Sequence, residues 1–217
     1  MPSERELERQ RKEQSQFQPF LYVITPYEDI HYLTAAAVSL KNQTYQDWKW
    51  VIVCTAAEKE KLMERVQAHL PQERICLVYA DGETDCQHRI AKGIQDTLAQ
   101  LQKDRRDFSW LLLLMPSDTL EPDAMYSCVK LMEKHPEMDV CYTDEDQISE
   151  DGKTYSEPIF KSDFNIDLLR ATNYIGHLLL IREDAAGKIG PWNPACFADA
   201  SYDYVLRAAE TAQSIGH

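Results

Sequence analysis

The run Trp110-Leu111-Leu112-Leu113-Leu114-Met115 ends abruptly at Pro116-Ser117-Asp118, and no other segment constrains the fold as tightly. A strand with one wet face alternates apolar and polar side chains, whereas four consecutive leucines need cover on both faces. The run is short and bounded by polar residues, so it reads as a strand of a parallel sheet held between two layers of helix. In open α/β sheets, ligands bind outside the carboxyl ends of such strands. Asp118 therefore stands where an α/β enzyme holds a metal ion or a phosphate.

Strand and helix alternate around this run. Phe20 to Thr25 is an apolar, β-branched strand, Ile30 to Leu40 has helical periodicity, and Lys49 to Cys54 is a second strand. Glu58 to Leu70 reads as a helix closed by Pro71, and Ile75 to Tyr79 as a third strand. Ile90, Ile94, Leu98 and Leu101 mark one face of the next helix. After the leucine strand, a helix runs from Pro122, a favoured first-turn residue, to Lys134. Alternation of this kind implies βαβ units, a parallel sheet and the α/β class. From Val140 the rhythm changes: a short strand to Thr143, a turn at Asp151-Gly152-Lys153, loop from Gly187 to Ala200, and helix from Ser201 to Ser214. At the other end, Ser3-Glu4-Arg5-Glu6 has the pattern of a capping box. It starts a polar leader helix to about Gln16, with Glu8 and Lys12 at i,i+4 spacing and Leu7, Phe17 and Phe20 as pins.

The length of 217 residues suffices for a full core. The formal charge of −13 argues against nucleic acid, whose phosphates call for clustered Lys and Arg. The six cysteines are scattered, without a Cys-x-x-Cys pair, and read as free thiols of a reducing compartment. No apolar stretch approaches the roughly 20 residues of a membrane span, and the N-terminus lacks a signal-peptide core, so the expectation is a cytoplasmic domain. Among the 7 glycines there is no Gly-x-Gly-x-x-Gly or phosphate-loop pattern, which counts against dehydrogenase and P-loop readings.

Four segments of the second half occur in a telling order: Tyr142-Thr143-Asp144-Glu145-Asp146, Pro158-Ile159-Phe160-Lys161, Asn173-Tyr174-Ile175-Gly176-His177-Leu178, and Tyr202-Asp203-Tyr204-Val205-Leu206-Arg207 with Glu210. The series resembles the family 2 glycosyltransferases of bacterial surface-polysaccharide synthesis, of the O-antigen and rhamnan type. Gln43-Thr44-Tyr45-Gln46-Asp47-Trp48 looks like that family's loop before its second strand, and the leader is similar to the segment preceding its catalytic domain. The resemblance implies a GT-A fold, with a mainly parallel sheet that binds a nucleotide-diphosphate sugar at its strand ends. On that pattern residues 1–18 form a leader helix and residues 19–217 a single GT-A-like domain. The family continues past a histidine near His217 with a further strand and loops, which implies that the C-terminal part is missing. The implied partners are a nucleotide sugar and a saccharide or lipid-linked saccharide acceptor, within a larger synthase at the inner face of the membrane.

The implied reaction sets three chemical needs. Diphosphate departure needs Mg²⁺ or Mn²⁺ on acidic residues, the base and ribose need acceptors at the second strand's end, and the acceptor hydroxyl needs a carboxylate base. At the metal position this chain has Met115, Ser117 and Asp118, so Asp118 is the remaining acid, with a turn cap as its alternative role. The second strand ends in Cys54-Thr55 in place of acids, while Tyr27 is retained and is suited to stacking on a base or to filling a loop. Ser201 stands at the family's base position. Asp203, two residues on, is the retained acid and also fits an i,i+4 pair with Arg207, and Asp199 is a substitute base if its loop bends inward. Asp144, Glu145 and Asp146 line the donor or acceptor pocket in the family, against a solvated turn as the plain alternative. His177 reads as a structural hydrogen-bonder. Three readings follow: a working glycosyltransferase with a minimal metal site, a glycosyltransferase-like domain without turnover that binds or assembles, and an unrelated α/β domain.

Overall fold

The computed structural model describes residues 2–13, 15–82, 85–104, 108–149 and 151–217. A leader helix α1 (Glu4–Lys12) precedes β1 (Phe20–Pro26), α2 (Ile30–Asn42), β2 (Trp48–Cys54), α3 (Lys59–Gln67) and β3 (Ile75–Tyr79). Then come α4 (Cys86–Asp104), β4 (Ser109–Leu113), α5 (Ala124–Lys134) and β5 (Val140–Tyr142). The second half adds a hairpin of β6 (Glu145–Ile148) and β7 (Tyr155–Ile159), then α6 (Ile166–Ala171), β8 (Leu179–Arg182), α7 (Glu183–Ile189), α8 (Ala200–Thr211) and β9 (Ile215–Gly216).

Seven strands form one sheet in the order β3-β2-β1-β4-β8-β5-β9. Pairings among β3, β2, β1 and β4 are parallel, β8 runs antiparallel between β4 and β5, and β9 is parallel to β5. This is a GT-A-like, Rossmann-type α/β fold. The chain builds outward from β1 through β2 to β3 and then returns to the far side of β1, so the order reverses between β1 and β4, where open sheets form their crevice.

The leucine strand behaves as its composition demands. Trp110, Leu112 and Leu114 enter the core on the face of α2, α3 and α5, while Leu111 and Leu113 enter the core on the face of α4, α7 and α8. Each such side chain contributes about 1.5–3 kcal/mol of burial. On the second face α4 lies so close that a Cβ on Gly93 would sit 2.6 Å from Val53 Cγ2 and 2.8 Å from Ile24 Cγ2.

Several expected boundaries shift. The Ser3 hydroxyl accepts from the Glu6 amide at 3.3 Å, but the Glu6 carboxylate turns forward to Arg9, so the reciprocal half of the capping box is not made. The leader helix ends at Lys12, and its neighbours are protein: Thr44 donates to Gln10 Oε1 at 2.9 Å, Lys130 pairs with Glu13 at 2.6 Å, and Ser15 donates to Glu133 at 2.6 Å. Helix α5 starts at Ala124, with Pro122 in the turn before it. Part of the expected loop after Gly187 is helix, because α7 continues to Ile189 and a 3₁₀ turn spans Pro194–Asp199. No helix among the described residues is long and apolar enough to cross a membrane.

Candidate functional site

Beyond the carboxyl end of β4 the chain turns through Pro116 and Ser117, with the Asp118 amide donating to the Met115 carbonyl at 3.0 Å. The Asp118 carboxylate does not cap α5, whose N-cap residue is Asp123, so the capping alternative is corrected. It faces His177 instead, with Nδ1 at 2.9 Å and 3.0 Å from its two oxygens, across 59 residues of chain. That bond is the main reason the His177 imidazole is raised above its ordinary value, with burial acting in the opposite direction.

His177 is held in place by its backbone. Its amide donates to Glu145 Oε2 at 3.1 Å, and its carbonyl lies 3.4 Å from the Lys161 ammonium. Lys161 is buried and pairs with Glu145 at 2.9 Å, while its Nζ also donates to the Ile175 carbonyl at 2.5 Å. A buried ammonium needs such a set of acceptors to offset its lost hydration. Gly176, at φ +60, brings its backbone against the same carboxylate: a Cβ there would meet the Glu145 oxygens at 3.0 Å and 3.1 Å. The Lys161 amide donates to Asp144 Oδ1 at 2.7 Å, and His217 Nε2 lies 3.0 Å from the same oxygen while its ring stacks on Tyr142. Three of the four family-like segments thus form one ion-paired network.

The network floors a cleft of about 660 Å³. Asp118, Asp144 and Asp146 all line it, together with Glu145 and His177, and the β6–β7 hairpin adds Gln147, Ile148, Tyr155, Glu157 and Ile159 as one wall. The other expected site residues lie elsewhere. Tyr27, half-buried past the end of β1, accepts a hydrogen bond from Arg89 at its carbonyl, and burial raises its phenol. Asp203 pairs with Arg207 at 2.7 Å, as its i,i+4 spacing predicts. Asp199 is exposed at the N-cap position of α8 and makes no side-chain capping bond. Ser201 sits in the first turn of α8, and neither it nor the two acids lines the cleft.

At the end of β2, Cys54 is fully buried, and burial pushes its thiol up to about 11. Carboxylates reach this strand end from outside the expected positions. Glu58 accepts from the Thr55 amide at 2.7 Å and from buried Arg89 at 3.1 Å, and Asp81 accepts from the Ala56 amide at 2.7 Å. The signal for Glu58 was the capping-box spacing Thr55-x-x-Glu58.

Among the described residues, no three His, Cys, Asp or Glu side chains converge as a protein-built metal centre requires. The fit to a hard divalent ion rests on Asp118 as a single oxygen donor open to the cleft. Mg²⁺ commonly keeps several waters and takes phosphate oxygens, so one carboxylate meets its chemistry.

Fold and cleft together define an α/β domain of GT-A-like, Rossmann type with an acidic cleft beyond the carboxyl ends of β4 and β5. The chain is 30% identical over 202 residues to the O-antigen biosynthesis protein RfbC of Myxococcus xanthus, covering 92% of this chain and 15% of that protein. It is 28% identical over 204 residues to the uncharacterized protein y4gI of Sinorhizobium fredii, covering 90% of this chain and 21% of that protein. The chain therefore spans well under a third of the length of either relative. No protein-family model matches it.

Proposed function

We propose that this is a glycosyltransferase-like domain of surface-polysaccharide synthesis, which binds a nucleotide-diphosphate sugar at the strand ends and delivers the sugar to a saccharide acceptor. The observation that carries the reading is Asp118, at the end of the buried β4 strand and at the edge of a 660 Å³ cleft. The similarity to an O-antigen biosynthesis protein over 92% of the chain supports the same biology. In this reading Asp118 is the protein ligand of Mg²⁺ or Mn²⁺, an ion that supplies positive charge opposite the departing diphosphate. The Lys161–Glu145 pair holds His177, and His177 holds the Asp118 carboxylate in a fixed direction. Asp144 and Asp146 accept hydroxyls at the cleft floor.

Calorimetry with UDP-, dTDP- and GDP-sugars, with and without Mn²⁺, tests this. Binding that depends on Mn²⁺ and is lost in Asp118→Ala is expected, and absence of binding to every donor removes the reading. A second reading, binding without turnover, is favoured by the position of Asp199 and Asp203 outside the cleft, which leaves the family's base position without an acid there. Donor binding without nucleotide release on addition of acceptor selects that second reading.

A further inference from the structure

One wall of the cleft that Asp118 lines is given no role in metal binding by the proposed function. It is the β6–β7 hairpin, a separate two-stranded sheet in which all of β7 and most of β6 are exposed. Its polar groups are paired across short distances: Gln147 Nε2 donates to Glu157 Oε2 at 2.9 Å, and the Tyr155 hydroxyl crosses to Glu121 Oε1 at 3.0 Å. Beside these pairs Ile148, Tyr155 and Ile159 stay 41%, 40% and 49% exposed while lining the cleft. Glu157 holds φ 48 within a strand, a conformation that costs a non-glycine residue energy.

The charge at this end is one-sided. Asp118, Asp144 and Glu145 are engaged by His177, His217 and Lys161. Glu121, Asp146 and Glu157 also line the cleft, and they meet no basic side chain among the described residues. An anionic ligand at the hairpin would face these carboxylates without compensation, and like charges placed together are a means of rejection. The same groups suit an uncharged polyol. Carboxylates accept from hydroxyls, the Gln147 amide both donates and accepts, and Tyr155 with the two isoleucines offers an apolar surface to the C–H face of a sugar ring.

We propose that the hairpin wall is a subsite for a neutral saccharide, which holds an acceptor beside Asp118 and rejects glycans bearing uronate or phosphate. The purpose of that saccharide rests on the glycosyl-transfer reading; its binding does not. The sugar's hydroxyls replace the Gln147–Glu157 and Tyr155–Glu121 hydrogen bonds with bonds of their own.

The test applies the full chain to an array of neutral oligosaccharides of rhamnose, galactose, mannose, glucose and N-acetylhexosamines, with uronate-containing counterparts, alongside the donor calorimetry. At least one neutral glycan binds, and its uronate counterpart binds about tenfold or more weakly. Tyr155→Ala and Gln147→Ala weaken neutral binding by about tenfold without lowering Tm, and the double variant Asp146→Asn, Glu157→Gln relaxes rejection of uronates. Preference for uronates, or neutral binding indifferent to Tyr155 and Gln147, overturns the subsite. Donor binding with no neutral glycan bound overturns it while leaving glycosyl transfer standing. Neutral-glycan binding without any donor binding supports it and removes glycosyl transfer instead.

Discussion

Replacing Lys161 with Met isolates the contribution of the buried ammonium, because Met keeps most of the aliphatic stem and opens little cavity. The Lys161 side chain is 1% exposed, and the substitution removes its bond to Glu145 at 2.9 Å and to the Ile175 carbonyl at 2.5 Å. Removing one partner of a buried ion pair costs about 3–5 kcal/mol where the other charge is stranded. Glu145 is 30% exposed and keeps the His177 amide as a donor, so water recovers part of that cost. The fully buried Ile175 loses a donor to its carbonyl, worth about 1–3 kcal/mol. One ammonium makes both bonds, so the terms overlap, and the expected loss is about 3 kcal/mol. In a chain of this size each kcal/mol moves Tm by about 2–4 °C, so calorimetry reads a fall of about 6–12 °C. Adding Glu145→Gln to Lys161→Met removes the stranded charge and returns about 1 kcal/mol or more. A loss under about 0.5 kcal/mol in the single variant, or a double variant that loses more than the single, refutes the ion-pair account.

His177 titrates above the ordinary histidine value of 6.5 because Asp118 stabilises its charged form, so an NMR titration places it higher than in Asp118→Asn. Since the folded value is the raised one, the pair's stabilisation is fully present below about pH 6.5 and is lost as pH rises through the folded value; pH-dependent melting with and without Asp118→Asn reads the difference, and equal slopes count against it. Gly93→Ala forces a methyl into Val53 and Ile24 and is expected to cost about 1–3 kcal/mol by chemical denaturation, where an unchanged midpoint would show that α4 can retreat from the sheet. The Cys54 thiol, pushed up to about 11 by burial, stays unlabelled by iodoacetamide at about pH 8 in the folded chain and reacts once unfolded; mass spectrometry of the modified peptide checks this.

What the sequence reveals divides by the range of the interaction. The leucine strand is legible because two-sided burial leaves no polar position in it, and Asp203 with Arg207 is legible because four residues on a helix bring them together. Strand β8 is harder: it enters antiparallel between β4 and β5, after a segment that carries a recognisable motif but no helical or alternating period. The contacts that build the cleft are longer in range. Lys161 meets Glu145 across 16 residues and His177 meets Asp118 across 59, and neither spacing has a local period to announce it. A lysine in a polar-looking segment gives no sign that it is buried until the carbonyls of Ile175 and His177 are seen around it. For the same reason the end of β2 looked bare of acids, although Glu58 and Asp81 fold back onto it.

These contacts change what the retained segments mean. Tyr142 donates to the Ser162 carbonyl, Asp144 and Glu145 hold Lys161 at its two ends, and Gly176 leaves room for the Glu145 carboxylate. Residues that resemble a catalytic family's text therefore have structural work here, and their presence argues for the cleft's shape more directly than for turnover. The acids that the resemblance offers for leaving-group departure or deprotonation are a separate set. Of that set Asp118 alone faces the cleft, since Asp203 is bound to Arg207 and Asp199 lies outside. Under the proposed function, with Ser201 where the resemblance implies a base, the cleft's acids are assigned to binding rather than to transfer. Binding and transfer are thus separate halves of the proposed function: donor calorimetry decides the first, and measurements of nucleotide release decide the second.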